Sequence, residues 1–131
     1  MRIRIGKKEI QVEVAAGWKK YLGYMFRKEP SFEEGMLFVF DTPQKVKLWS
    51  PFVGFPLDVI FLNKRLKIKE IAFLEAWDLN GVECQKAKYA LELKSGFCKK
   101  FKIKKGTRIK FSPFTIPSSS SNPKQLHSRL L

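Results

Sequence analysis

Histidine is almost missing from this sequence: His127 is the one copy in 131 residues. That excludes a His-based catalytic triad and a His-ligated catalytic metal. Cysteine is nearly as scarce. Cys84 and Cys98 are too few for a disulfide framework, and beside one histidine they do not complete a zinc site. Their spacing is compatible with free thiols or a single bridge, and a reducing cytosol favours the thiols. Long apolar runs are also lacking: Met36–Phe40 and Val59–Leu62 fall far short of a bilayer's thickness. The amino terminus, MRIRIGKKEIQVEV, alternates charge with Ile and Val and offers no apolar secretory core, so a cytoplasmic protein is expected. No GxGxxG, Walker loop, HExxH or GxSxG occurs.

Acidic residues are the remaining shortage. Twelve Asp and Glu face 26 Lys and Arg, for a net charge of +14. A thermophile-like surface of ion-pair networks needs the two signs in comparable number. The surplus therefore points to a polyanionic partner or an acidic surface, with solubility as the plainer alternative.

What is present suffices for one folded domain: 44% of residues are apolar, including 12 Phe and 3 Trp. Arg2–Val14 reads as two short strands about a Gly6-Lys7-Lys8 turn, with Ile3 and Ile5 on one face. Ala15–Tyr24 is a helical candidate whose Trp18, Leu22 and Met25 share a stripe. After a polar loop, Arg27–Gly35, the run Met36–Phe40 suits a buried strand. Asp41–Gln44 reads as a turn, and Val46–Phe52 as a strand broken at Pro51 and Gly54. Pro56–Leu62 is apolar on both faces and hence central. Leu66–Leu74 switches its apolar face near Glu70, which implies a bulge. Asn80-Gly81 marks a turn. In Lys86–Leu93 the alternation points Ala87, Tyr89, Leu91 and Leu93 inward and leaves Lys86, Lys88 and Glu92 outward or intermediate. Gly96–Phe101 reads as one helical turn, and Thr107–Phe111 closes the domain with Ile109 and Phe111 inward. From Ser112 the composition turns to Ser, Pro and Asn, so residues 112–131 are expected to form a tail beyond a β-rich domain spanning 1–111. The expected fold class is mainly β: a small barrel-like or sandwich-like antiparallel domain with one or two short helices.

Two blocks carry a family signature. The first is Gly23, Tyr24, Met25, Phe26, Arg27, then Glu33, Glu34, Gly35, Met36, Leu37, Phe38, Val39, Phe40. The second is Trp49, Pro56, Leu57, Asp58 and Phe61 at unbroken spacing, and a weaker third runs from Ala87 to Leu93. Together they resemble the domain-of-unknown-function 192 family, a group of small bacterial and archaeal proteins. The resemblance implies a compact, barrel-like β fold and implies no activity. Where many relatives have Met, a polar residue and Asn-Thr after the tryptophan, this chain has Ser50-Pro51-Phe52-Val53-Gly54. A relative's ligand therefore does not transfer to it.

Two constellations are candidates for function. Asp58 falls on the apolar face of Ile60 and Leu62, where a carboxylate needs a cation or several N–H groups. Arg27 is a candidate partner because its planar fork matches a carboxylate. Such a pair either ties the Arg27–Gly35 loop to the sheet or floors a ligand pocket made by Arg27, Glu34, Trp49 and Asp58. The second constellation is basic: Lys99, Lys100, Lys102, Lys104, Lys105, Arg108 and Lys110, preceded by Lys86, Lys88 and Lys94. Alternation turns Phe101 and Ile103 inward with Lys100, Lys102 and Lys104 outward, and likewise Arg108 and Lys110 outward. The lysines thus share a face, either as a polyanion-binding surface or as a charged edge that resists aggregation. No aromatic is interleaved there, so base stacking is not signalled. The expectation is a binding module for nucleic acid or another polyanion, without cofactor or metal. The alternative is a small-ligand or hydrolytic protein using Asp58 with Glu33 or Glu34 near Trp49.

Overall fold

The computed structural model describes residues 1–111, apart from the side chains of Trp18 and Lys19. The expected tail, 112–131, and the Trp18 position of the expected helical stripe lie outside the described residues.

Alternating Ile and Val with charged residues gives β1 (Arg2–Ile5) and β2 (Lys8–Ala15), hinged at Gly6, whose φ of 60° suits a residue without Cβ. Then follow β3 (Glu34–Leu48), β4 (Leu57–Leu62), β5 (Ile68–Leu74), β6 (Val82–Lys94), the one-turn helix α1 (Phe97–Lys100) and β7 (Ile109–Phe111). They form one sheet in the order β5-β4-β6-β3-β2-β1-β7. Among the described residues every neighbouring pair is antiparallel except β2–β3, which is parallel from Gln11↔Glu34 to Ala15↔Phe38.

The sheet curls until its edges meet. Ile68 N–H donates to Thr107 O at 2.8 Å, Ile109 N–H to Leu66 O at 2.8 Å, and Lys67 bridges Arg108. The result is a mainly β half-barrel whose outer strands are shielded from edge-to-edge pairing. β4 is buried along its whole length, as its two apolar faces predict. Its side chains alternate between two cores. Leu57, Val59 and Phe61 join Met36, Phe38 and Tyr24 on one face, whereas Ile60 and Leu62 join Ile3, Leu91 and Phe97 on the other.

Several local expectations are corrected by the backbone. Ala15–Tyr24 holds a 3-10 helix at Gly17–Tyr21 in place of an amphipathic α-helix, flanked by left-handed Gly17 and Gly23, and Leu22 is exposed. Asp41–Gln44 is no turn: it is the irregular middle of β3, where the register against β6 shifts between Val39 and Gln44. That shift moves Ala87 to the opposite core from Leu91 and Leu93. The bulge expected near Glu70 lies beside it, where pairing skips from Glu70 to Ile68. Phe111 is half exposed instead of inward, and Phe101–Gly106 is turn, not strand. Cys84 and Cys98 are buried free thiols in different cores, so no bridge forms between them.

Candidate functional site

Glu92 lies mid-sheet on β6, paired with Met36 of β3 and Val59 of β4, and points into their core. The sequence reading turned it outward or left it intermediate; the structure leaves it 4% exposed. Because β6 runs between two strands and is covered on both faces, neither phase of its alternation reaches water at this point. Burial pushes the carboxyl up to about 8, so it is mostly protonated at neutral pH. Its Oε1 has no hydrogen-bond partner among the described residues. Beside Glu92 lies a cavity of about 70 Å³. Gly23, Tyr24 and Met25 of the loop after β2, Phe38 and Leu48 of β3, and Trp49 and Val53 beyond it line the space. Lys20 and Lys47 add two cations. Burial, and behind it the Glu92 carboxyl, raise the phenol of Tyr24 far above the ordinary tyrosine range.

The four pocket candidates read from sequence do not converge. Trp49 lines the Glu92 cavity and is half exposed. Arg27 pairs with Glu13 at 2.6 Å and sits 5.6 Å from the Tyr24 ring centroid, and it does not contact Asp58. Glu34 is exposed and accepts a bond from Ser31 Oγ at 3.1 Å, while Glu33 pairs with Lys8. Asp58 lies on the other face of the sheet, 8% exposed. Its two oxygens accept from Cys98 N–H at 2.9 Å and Gly96 N–H at 3.3 Å. Asp58 is thus satisfied by backbone, tying the start of β4 to α1. Its charge also reaches Cys98, whose thiol is pushed up to about 12, first by burial and then by Asp58. A thiol held so far from ionisation is a poor nucleophile.

The basic candidates occupy different elements instead of one sheet face. Lys99 and Lys100 end α1, Lys102, Lys104 and Lys105 lie in the following turns, and Arg108 and Lys110 flank Ile109; all seven are exposed. Lys105 is paired with Glu70 at 3.0 Å, and Lys100 stands 4.3 Å above the Phe32 ring. A denser basic feature lies nearby. A groove of about 360 Å³ is lined by Lys64, Arg65, Lys69, Lys86 and Lys88 with Pro43, Asn63 and Ala87. No carboxylate among the described residues lines it. Asn63 Oδ1 accepts from Arg65 N–H and Lys67 N–H and shapes the turn that presents Lys64 and Arg65. Lys69 Nζ donates to the Lys86 carbonyl and Lys88 Nζ to those of Phe40 and Asp41, so two of the cations are anchored. Lys86 and Lys88 belong to the basic stretch read from sequence. Lys64, Arg65 and Lys69 did not stand out, because the fold, not the chain order, gathers them.

A half-barrel sheet with a covered carboxyl on one face and a basic groove beside its closing seam defines a small β-fold protein of the type the sequence blocks resemble. The chain belongs to the domain-of-unknown-function 192 family, described as Uncharacterized ACR, whose model matches residues 1–111. A UPF0127 protein of Pyrococcus furiosus is 29% identical over 108 residues, covering 80% of this chain and 91% of its own. Two solved structures share the fold. A candidate transcription regulator from Sinorhizobium meliloti 1021 superposes with a TM-score of 0.78 at 24% identity, covering 84% of this chain and 90% of that one. A protein of unknown function from Novosphingobium aromaticivorans gives 0.79 at 25% identity, covering 84% of both chains. Among the described residues no helix is long and apolar enough to cross a membrane.

Proposed function

We propose that this protein is a non-enzymatic binding module whose partner is a polyanion, nucleic acid in the first instance. The groove of Lys64, Arg65, Lys69, Lys86 and Lys88 carries the reading, since five basic side chains border one concavity with no carboxylate among the described residues lining it, which leaves a positive field that favours an anion. The net charge of +14 supports it, because twelve acids leave most bases without a partner. The closing seam extends the basic surface: Lys67 bridges Arg108, and Lys105 and Lys110 follow on the same turn and strand. The candidate transcription regulator that shares the fold gives the reading modest support. A cytoplasmic setting, where nucleic acid is abundant, fits it as well.

The mechanism is counterion release. Each phosphate neutralised by a lysine frees condensed cations, so affinity falls with salt at a log–log slope of about −0.9 per contact on duplex DNA. Nonspecific complexes of this kind have dissociation constants on the order of 10⁻⁴ to 10⁻⁶ M at physiological salt. Titrating labelled duplex and single-stranded DNA at two salt concentrations tests the proposal. Binding that weakens steeply with salt is expected; no binding at low salt would reduce the charge to a solubility feature.

A further inference from the structure

The Glu92 cavity lies on a different part of the molecule from the basic groove and shares no lining residue with it. Its lining combines charges of both signs. One buried carboxyl with an oxygen unpartnered among the described residues borders it with aromatic and aliphatic walls. The exposed Lys47 and half-buried Lys20, whose ammonium lies 5.2 Å from the Phe40 ring centroid, also line it. An unpaired carboxyl oxygen in an apolar core is costly, and proteins keep few of them without a use. Gly23 makes the room: a Cβ there would stand 3.4 Å from both Glu92 Oε1 and the Phe38 ring. A packed core would fill this space with a side chain; this one leaves it open beside a carboxyl.

We propose that the cavity is a binding site for a small zwitterion of the amino-acid type, its ammonium on Glu92 and its carboxylate toward Lys47 and Lys20. The complementarity is threefold. A carboxylate in a low-dielectric site is matched by an ammonium, which supplies the missing donor and the missing charge together. The rings of Tyr24, Phe38 and Trp49 add the favourable cation–π environment that aromatic walls give an ammonium. Two lysines would repel a simple cation from the entrance, but they favour a ligand that presents an anion there. The cavity of about 70 Å³ suits only a compact ligand. A ligand with one charge would leave one end of this arrangement unanswered.

Binding is linked to a proton. The titratable groups lining the cavity with Glu92 are Lys20, Tyr21, Tyr24 and Lys47. In the free protein Glu92 holds its proton up to a pH of about 8. Seating an ammonium against it ionises the carboxyl, and that proton passes to the buffer while the ligand's ammonium keeps its own.

The test is calorimetry at neutral pH with three probes: alanine, alaninamide and propionate. Alaninamide stands in for a peptide amino terminus, which carries the ammonium without the carboxylate. Alanine is expected to bind with a heat that varies with the buffer's ionisation enthalpy, reporting proton release, and alaninamide to bind at least about tenfold more weakly. Propionate should not bind. Glu92→Gln keeps the shape of the side chain and should weaken alanine by at least about tenfold. The exposed Lys47→Ala, which leaves the core untouched, should weaken alanine while sparing alaninamide. Amide shifts at Gly23, Leu48 and Trp49 locate the event. Absence of those shifts, equal affinity for alanine and alaninamide, no proton release, or unchanged affinity in Glu92→Gln would each overturn the assignment.

Discussion

Gly23 and Glu92 face each other across the cavity, so close that a methyl group at position 23 would touch Oε1 of the carboxyl. One residue comes from an irregular loop and the other from the middle of a central strand. Their juxtaposition keeps the carboxyl both covered and unfilled.

Glu92 should set the pH dependence of stability. Its carboxyl is raised from an ordinary value of 4.5 to about 8 by burial. Below 4.5 both folded and unfolded chains are protonated there, and nothing is lost. Between the two values the unfolded chain ionises and the folded one does not, so stability falls as pH rises, by on the order of 5 kcal/mol in total from this group. Glu92→Gln should remove most of that slope. Urea midpoints at pH 5 and pH 8.5 measure it; parallel slopes in both proteins would show that Glu92 does not bear the penalty.

Asp58 should be needed for stability. Asp58→Ala strands the N–H groups of Gly96 and Cys98, one of them fully within the core, and should cost roughly 3 kcal/mol. Asp58→Asn keeps an acceptor and should cost less. Removing the negative charge also removes one cause of the raised Cys98 thiol, so both variants should react faster with a thiol reagent.

Lys64→Glu, Arg65→Glu and Lys86→Glu together should abolish DNA binding, reducing the salt slope by about 0.9 per lost contact. The same reversal at Lys100, Lys102 and Lys104 should leave part of the affinity, since Lys100 is engaged over Phe32 outside the groove. Fluorescence anisotropy across a salt series separates the two sets. Equal loss from both would extend the binding surface to the whole face.

Gly81→Ala should destabilise the fold by about 3 kcal/mol. The residue has φ of 77°, and a Cβ there would fall 2.3 Å from the Leu48 carbonyl oxygen. Thermal unfolding of that variant reports it directly; a loss below about 1 kcal/mol would mean that the turn after Asp78 relaxes freely.

The strands were legible where one rule sufficed. Ile3, Ile5, Ile10 and Val12 alternate against polar neighbours and are buried; Leu57–Leu62, apolar at every position but Asp58, lies between two neighbours. The reading failed where two strands bend together. Asp41–Gln44 carries turn residues, yet cross-strand pairing keeps it within β3. Glu92 was misplaced for a related reason: alternation separates two faces but does not say that both are dry. Asp58 was legible as a buried carboxylate needing partners, but not which ones, because the N–H groups that meet it lie 38 and 40 residues away. The basic groove was partly hidden, since Lys64, Arg65 and Lys69 reach Lys86 and Lys88 only through the β4–β5 turn.

The parallel pairing of β2 with β3 has a consequence of its own. After Ala15 the chain must travel back along the sheet before Glu34 can start in the same direction, and residues 16–33 make that return. They are also the stretch that lays Gly23, Tyr24 and Met25 over Glu92. The part of the cavity's lining made by Lys20–Met25 is therefore an obligatory detour of the topology, while Trp49 and Val53 complete it from beyond β3. A transplant of residues 16–33 from a relative would change the roof while every strand register stayed as it is, making this segment a natural cassette for altering what the protein recognises.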